Sequence, residues 1–245
     1  SKTLPQLDIL LSRLDAGEQF NITFLGGEPL LYPQGMELIA EHAIEIAEQK
    51  GISLRFQVIT NGTLFNEENI AFLKRFDFNV SISVDGPPQI NDVQRPSAGG
   101  TGSTAKVLEG LQLLLKNRSK KQMIKVQGVF GPHNTQVFKA YQFYRELGVD
   151  SFEFNFDQSS SDENASKHFV TEMEKVCKHT FENGGETALR QIHFFDQLFS
   201  QMDEHYRIEN FCGSGRSYAV IDANNVVFDC PWSANDLSAK ISQGT

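Results

Sequence analysis

Long apolar runs, excess basic charge and cysteine are all scarce in this sequence of 245 residues. No stretch approaches the roughly 20 apolar residues that a membrane-spanning helix needs, so we expect no membrane partner. Acidic residues outnumber basic ones by 31 to 22 and give a net charge of −9, which argues against a nucleic-acid partner. The chain begins with neither an initiator methionine nor a secretory leader. We therefore expect a cytoplasmic protein of which this sequence is a part.

Helical and β-rich segments alternate through the first two thirds of the chain. Short β-rich runs occur at 21–25, 54–59, 79–84, 124–129 and 151–156. Segments with an apolar period of 3.6 residues occur at 4–14, 36–50, 67–76, 103–117 and 135–147. This alternation predicts an α/β fold of parallel βα units. Five strands fit a partial barrel or a doubly wound sheet, and not a closed eight-stranded barrel.

The pattern changes after residue 157, and we expect three parts. Residues 1–157 form the barrel-like part, and residues 158–210 form a polar linker and helices. Two helices are predicted there, at 166–182 and 186–206, separated by Gly184 and Gly185. Residues 211–245 begin with a predicted β-hairpin, whose strands at 218–221 and 226–228 flank a turn at 222–225.

The first predicted strand runs directly into Gly26, Gly27 and Glu28. Two glycines let the backbone turn sharply and let a ligand approach it closely. A carboxylate at the carboxyl end of a parallel strand lies where ligands bind in α/β proteins, and it suits a cationic group. The alternative is an ordinary βα turn whose acid caps the next helix.

The next two strands also end in polar residues. Asn61 follows the second strand, and Ser83 and Asp85 lie at the end of the third. Ser83 and Asp85 are two positions apart, so they share one face of the strand. Asn-Gly and Asp-Gly pairs are also ordinary turn formers. Three consecutive strands with this feature nevertheless predict a polar rim at one edge of the sheet.

Two of the three cysteines, Cys212 and Cys230, bracket the predicted hairpin, whereas Cys177 lies in a predicted helix and reads as a packing residue. The hairpin would bring Cys212 and Cys230 close together. Three interpretations remain open: a disulfide, a pair of free thiols, or two thiolate ligands of a metal or iron–sulfur site.

Four motifs in chain order resemble those of radical S-adenosylmethionine (SAM) enzymes with a SPASM or twitch extension, such as anaerobic sulfatase maturases. They are ITFLGGEPLL (22–31), ITNGTL (59–64), SISVDGPP (81–88) and CGSGRSYAVIDANNVVFDC (212–230). The resemblance implies a partial parallel (β/α)6-type barrel that uses SAM and [4Fe–4S] clusters. It also implies a peptide or protein substrate and a reductant such as flavodoxin or ferredoxin.

The same resemblance implies roles for particular residues. Gly26, Gly27 and Glu28 would hold the methionyl amino group of SAM. Ser83 and Asp85 would face its ribose and methionyl end, with Asn61 on the neighbouring strand end. Cys212 and Cys230 would be the first two ligands of an auxiliary cluster. The family usually has glycine where Asn225 stands, and asparagine is the next-best residue for a left-handed turn position.

The sequence also departs from the family pattern. The motif Cys-x3-Cys-x2-Cys, which holds the SAM-cleaving cluster, does not occur in these 245 residues, and neither does the later run of SPASM cysteines. Pro231 stands where sulfatase maturases carry an acid. We therefore expect a fragment that is inactive alone, from an enzyme that modifies a peptide side chain by hydrogen abstraction. The alternative is a non-catalytic barrel that serves as a peptide-binding module or scaffold.

Overall fold

In the computed structural model, residues 3–97, 99–203 and 218–230 are described. Helices and strands alternate as the sequence predicts. The elements in chain order are α1 (Leu4–Ser12), β1 (Gln19–Phe24), a 3-10 helix (Pro29–Leu31), α2 (Pro33–Lys50), β2 (Ser53–Thr60), α3 (Glu67–Arg75), β3 (Asn79–Ser83), α4 (Pro88–Gln94), α5 (Thr104–Asn117), β4 (Ile124–Phe130), α6 (Val137–Glu146), β5 (Ser151–Phe156), α7 (Glu163–Leu189), α8 (His193–Asp203), β6 (Val220–Ile221) and β7 (Val227–Phe228).

The described residues divide into two units. The first unit is drawn from residues 3–20, 34–54, 203 and 218–230, and the second from residues 21–33, 55–97 and 99–202. The domain boundaries expected from the sequence stay a prediction. In the part of the chain that is described, no helix has the length and apolar character needed to cross a membrane.

The first unit contains the C-terminal hairpin. Strands β6 and β7 pair antiparallel, and Asn225 in their turn has a φ of 65°. Asparagine tolerates this left-handed conformation better than most residues, as expected for the position where the family has glycine. The hydroxyl of Thr3 donates a hydrogen bond of 2.8 Å to Oδ1 of Asn225, which ties the turn to the residue before α1.

A five-stranded sheet has the order β1-β2-β3-β4-β5, and the registers from β2 to β5 are all parallel. The two faces of this sheet differ in chemistry. On one face most side chains are apolar and buried, and five central ones are at most 1% exposed: Val58, Val80, Ile82, Ile124 and Val126. We call the other the polar face, and its central positions are Gln57, Ser81, Ser83, Lys125, Gln127 and Glu153. Parallel strands that pack apolar side chains on both faces are nearly continuous apolar runs, so the alternation indicates that only one face carries the apolar core. Ser81 on the polar face is nevertheless buried.

Aromatic rings fill much of the core on the apolar face. The ring of Phe78 lies 5.4 Å from the rings of both Phe56 and Phe72 and 5.7 Å from that of Phe24. Farther along the sheet, Tyr144 of α6 stacks on Phe154 of β5 at 5.5 Å. Close aromatic pairs of this kind add to the apolar area that they bury, and they hold the helices against the strands.

Two helical regions of the chain differ from the expected pattern. The short helix α4 was not predicted, and the helix expected at 186–206 is interrupted before His193. The interruption has a tertiary cause, because Phe152 pairs in parallel with Ile192 and donates its N–H to the carbonyl of Gln191 at 2.7 Å. The expected break at the glycine pair is present, since Gly185 within α7 has φ 60° and ψ −152°.

Candidate functional site

The loop after β1 leaves open space beside its backbone. Gly26 has a φ of 151°, which residues with a side chain rarely adopt. A Cβ added at Gly26 or Gly27 would meet no other group within 4 Å. Leu25, Leu31 and Tyr32 flank the loop and are 49%, 73% and 69% exposed. A ligand can therefore approach this backbone closely and contact an apolar rim.

Glu28 joins this loop to the end of β2. Its carboxylate accepts hydrogen bonds from the hydroxyl of Thr60 at 2.7 Å and from the N–H of Asn61 at 2.8 Å. It also accepts the N–H of Leu30 at 3.1 Å, so it caps the 3-10 helix as well. A carboxylate offers about four acceptor positions. Three are used here, and the remaining one can accept a cationic donor.

Asn61 belongs to the same edge of the sheet. Its Oδ1 accepts the N–H of Thr63 at 2.9 Å and the Thr63 hydroxyl at 2.7 Å, which fixes an Asx turn. Its Nδ2 makes no hydrogen bond to another described residue. The side chain therefore shapes the turn and keeps two N–H donors for a ligand.

Asp85 at the end of β3 is held within the protein. It is only 4% exposed, and its two oxygens bind Arg95 at 2.8 Å (Nε) and 3.2 Å (Nη2). The N–H of Val129 donates a third hydrogen bond of 2.9 Å. Ser83 differs, because it is half-buried on the polar face and makes no side-chain hydrogen bond among the described residues. On β3, Ser83 is thus the residue whose polar group remains available.

Arg95 was not singled out by the sequence. Helix α4 brings it back to Asp85, since Asn91 accepts the backbone N–H of Asp85 at 2.9 Å and its carbonyl accepts the N–H of Arg95 at 2.7 Å. The Arg95 side chain is 32% exposed, and its guanidinium has donors beyond the two used by Asp85. It can therefore bind a carboxylate or another anionic group. Sequence signals for it were weak, since one arginine ten residues after an Asp-Gly turn is common.

Tyr144 supports the same strand end from the apolar side. Its hydroxyl donates a hydrogen bond to the carbonyl of Val84. Burial raises the pKa of Tyr144 well above its ordinary value, and the nearby Asp85 carboxylate raises it further. The phenol therefore stays protonated and keeps donating to the strand.

The polar face also carries charged groups that the sequence did not single out. Lys125 and Glu153 form an ion pair whose side chains are 19% and 20% exposed. Burial raises the pKa of Glu153, but the charge of Lys125 and hydrogen bonds from Lys125 and Asn155 outweigh it, so the pKa is lowered overall. Burial lowers the pKa of His193, against the opposing effect of Glu153. The face therefore combines a compensated ion pair with a neutral imidazole.

The cysteines expected to bind a cluster are only partly described. Cys230 lies just after β7 and is half-buried, whereas Cys212 lies outside the described residues. Cys177 is in α7, half-buried. Among residues 3–97, 99–203 and 218–230, no group of three or more His, Cys, Asp or Glu side chains could hold a metal ion. The roles of Cys212 and Cys230 as cluster ligands therefore stay predictions.

The structure brings Glu28 and Asn61 into direct contact, and it places Ser83 and Asp85 at the same edge because the strands run parallel. Gly26 and Gly27 border this edge as part of the same loop. Thr60, which fixes Glu28, was missed although it precedes a recognised Asn-Gly turn. Whether these residues bind a cofactor stays a prediction.

Comparison with solved structures shows the fold. The chain superimposes on native anSMEcpe with bound AdoMet and Kp18Cys peptide with a TM-score of 0.79 at 21% identity, covering 98% of this chain and 68% of that chain. The related structure with bound AdoMet alone gives a TM-score of 0.76 over 96% of this chain. The predicted partial parallel barrel is therefore confirmed.

Curated relatives agree with this result. The cysteine-type anaerobic sulfatase-maturating enzyme of Clostridium novyi is 25% identical over 230 residues, which are 88% of this chain and 60% of that enzyme. The radical SAM cyclopropyl synthase TigE of Paramaledivibacter caminithermalis is 26% identical over 244 residues, 92% of this chain and 48% of that enzyme. The chain thus spans less than two thirds of the length of these relatives.

The family model of the radical SAM superfamily matches residues 7–141, which are more than half of the chain. This segment contains the open glycine loop, Glu28 with its three hydrogen bonds, and the polar ends of β2 and β3. The resemblance inferred from the four motifs is confirmed at this level: the chain belongs to the radical SAM superfamily and is similar to its maturases.

Proposed function

We propose that this chain binds SAM at the edge formed by the carboxyl ends of β1, β2 and β3. In the native-length protein, with iron–sulfur clusters, it would modify a peptide or protein side chain by hydrogen abstraction. The carrying observation is the Glu28 carboxylate, held by three hydrogen bonds beside two glycines with open space around them.

The residues at this edge fit the methionyl end of SAM. Its amino group needs acceptors, and Glu28 keeps one acceptor position next to the exposed backbone of Gly26 and Gly27. Its carboxylate needs a cationic donor, which the partly exposed guanidinium of Arg95 supplies. In this proposal Asp85 acts through Arg95, because its own oxygens already hold three hydrogen bonds.

Ser83 and Asn61 would contact the ribose or methionyl groups, since each keeps a polar group that no described residue uses. When bound, SAM and a reduced cluster would supply the carbon radical that abstracts hydrogen. The protein's contribution is to bind and orient, because Glu28 and Arg95 are fixed by hydrogen bonds before any ligand arrives.

The relatives support a peptide or protein substrate, since they include sulfatase-maturating enzymes, and one solved structure of similar fold holds a bound peptide. Reduction by a flavodoxin or ferredoxin and a cytoplasmic location belong to the same proposal. Pro231, which stands where sulfatase maturases carry an acid, favours peptide modification of another kind.

The test is SAM binding and cleavage by the native-length protein after reconstitution with iron and sulfide. Glu28→Gln keeps the size of the side chain but removes its charge, and we expect SAM affinity to fall at least roughly tenfold. The matched control Glu109→Gln changes an exposed glutamate on α5 and should leave SAM affinity unchanged. Equal affinities in the two variants would contradict the assignment of Glu28.

The same samples separate an enzyme from a binding module. Formation of 5′-deoxyadenosine above a no-protein control supports the enzyme, and peptide binding without SAM cleavage supports the module. A polypeptide of residues 1–245 alone is expected to cleave no SAM, because its three cysteines do not include the Cys-x3-Cys-x2-Cys motif.

A further inference from the structure

One row of side chains crosses the polar face from strand to strand. In the parallel register, Ser83 lies beside Gln127, and Gln127 lies beside Glu153. Beyond β5, an isolated parallel bridge pairs Phe152 with Ile192. The next residue, His193, begins α8 and lies close enough to Glu153 for each group to shift the pKa of the other. We call Ser83, Gln127, Glu153 and His193 the polar row.

Two members of the polar row have polar groups that the protein does not use. Ser83 and Gln127 are both half-buried, and neither makes a side-chain hydrogen bond to any other described residue. A ligand that covers these half-buried groups would remove them from water, so only a ligand that hydrogen-bonds to them avoids the cost of leaving them without a partner. Gln127 can both donate and accept, as can the hydroxyl of Ser83.

The other two members set the charge of the row. Glu153 is compensated by Lys125, which lies one row nearer the amino ends of the strands. The charged groups that act on His193 are Glu153, Lys125 and Asp196. Burial has the largest effect and leaves the pKa of His193 below its ordinary value. At neutral pH the imidazole is therefore uncharged and has one ring nitrogen as an acceptor.

We propose that the polar row binds the substrate side chain and selects a neutral side chain that donates a hydrogen bond, with His193 as the acceptor. Glu153 is a positioning residue, because it pairs with Lys125 and its charge acts on the His193 imidazole. A charged side chain is disfavoured, since the ion pair is already compensated and offers no counter-charge. The inference rests on the proposed function, because Ser83 also borders the proposed SAM site.

The experiment uses the native-length protein with selective isotope labels on the glutamine side-chain amides and histidine rings. Three capped amino acids serve as probes: N-acetylserine amide, N-acetylalanine amide and N-acetylaspartate amide. We expect the serine probe to shift the NMR signals of Gln127 and His193. The alanine and aspartate probes should bind at least about tenfold more weakly, the effect of one lost or mismatched hydrogen bond.

Variants test whether the polar row causes the preference for the serine probe. His193→Phe keeps a ring but removes the acceptor, so the preference for serine over alanine should disappear. Gln127→Met keeps a similar shape but removes the amide, so it should weaken binding of the serine probe. It serves as a second test where the histidine variant folds poorly. The matched control His168→Phe changes an exposed histidine on α7 and should keep the preference.

Glu153→Gln tests the positioning role through the preference among the three probes, which would not change if Glu153 were only structural. It leaves Lys125 without a counter-charge, so the aspartate probe should become the preferred ligand. Equal shifts with all three probes, or none, would overturn the inference. SAM affinity measured on the same samples keeps the two proposals apart: lost SAM binding with an intact serine preference refutes only the proposed function.

Discussion

Single side chains at the end of β2 connect two loops that are far apart in the sequence. The hydroxyl of Thr60 donates to Glu28 at 2.7 Å and accepts the buried N–H of Gly62 at 3.0 Å. Thr60 is itself 2% exposed. Because one hydroxyl satisfies groups on both loops, it holds the Glu28 carboxylate in position before a ligand binds.

We predict that Thr60→Val, which keeps the shape and removes the hydroxyl, lowers the free energy of unfolding by roughly 1–3 kcal/mol. The loss arises because the N–H of Gly62 and the carboxylate of Glu28 each lose a partner. Chemical denaturation measures the effect. Thr23→Val is the matched control on β1, where an exposed hydroxyl makes a 3.4 Å contact with Gln57. A control change as large as that of Thr60→Val would contradict the prediction.

The sequence predicted Glu28, Asn61, Ser83 and Asp85 as neighbours because parallel strands align their carboxyl ends. The sequence could not predict which of the two carboxylates, Glu28 or Asp85, would be paired with a cationic residue of the protein itself. Asp85 is paired by Arg95, and this pairing depends on the return of α4 through Asn91. Such contacts are set by tertiary geometry and leave no local periodicity to detect.

Among the secondary-structure elements, the strands were the most predictable. Runs of β-branched and aromatic residues fixed β2 to β5 to within a residue or so. Helix α4 was missed because a seven-residue helix after two prolines has almost no periodic signal. The break before His193 was missed because the pairing of Phe152 with Ile192 creates it.

The kink in α7 supplies a prediction about the backbone. Gly185 has φ 60° and ψ −152°, a region that is essentially restricted to glycine, and an added Cβ would meet nothing within 4 Å. Gly185→Ala should therefore cost about 1–3 kcal/mol of unfolding free energy through backbone strain alone. Gly99→Ala is the matched control, because Gly99 has equal space and no positive φ. If both variants unfold at the same denaturant concentration, the kink is not strained.

The edge formed by β5 and the start of α8 predicts how stability depends on pH. The pKa of His193 is lowered by burial from its ordinary value of 6.5, so the folded protein binds fewer protons there than the unfolded chain. The contribution of His193 to stability is complete above pH 6.5, the pKa of an ordinary histidine. It is lost as the pH falls from there toward the lower pKa of His193 in the folded protein. The pKa of Glu153 is also lowered, chiefly by Lys125 acting against burial, so its contribution is lost only below its ordinary value of 4.5.

We therefore expect the free energy of unfolding to decrease as the pH falls from about 7.5 to about 5.5. His193→Phe should flatten this part of the curve, whereas Glu153→Gln should chiefly flatten the part at more acidic pH. Thermal or chemical unfolding in a series of buffers measures both slopes. If the free energy of unfolding of His193→Phe depends on pH as steeply as that of the wild type, His193 does not cause the pH dependence.

At the scale of the whole molecule, both proposed binding regions lie in the same part of the chain. The proposed SAM edge and the polar row belong to one unit, drawn from residues 21–33 and 55–202. The chain spans 60% of the Clostridium novyi enzyme and 48% of the cyclopropyl synthase, so a substantial segment of each relative lies outside the match. Cluster binding is accordingly best tested in the native-length protein.

The cysteines beside the hairpin allow a test of whether this end of the chain belongs to an iron–sulfur cluster site. Cys230 lies two residues after β7, and Cys212 precedes the hairpin in the sequence. The resemblance implies that both thiolates are ligands of an auxiliary cluster. We expect Cys230→Ser in the native-length protein to lower the iron content and the visible absorption of the clusters. Cys177→Ser is the matched control, because Cys177 lies in α7 and is predicted to be a packing residue, so both readouts should stay at wild-type values. If Cys177→Ser removes iron and Cys230→Ser does not, the assignment of the hairpin to a cluster site is wrong. The family resemblance at this end of the chain would then fail, while residues 7–141 would keep their place in the superfamily, because that match is independent of the hairpin.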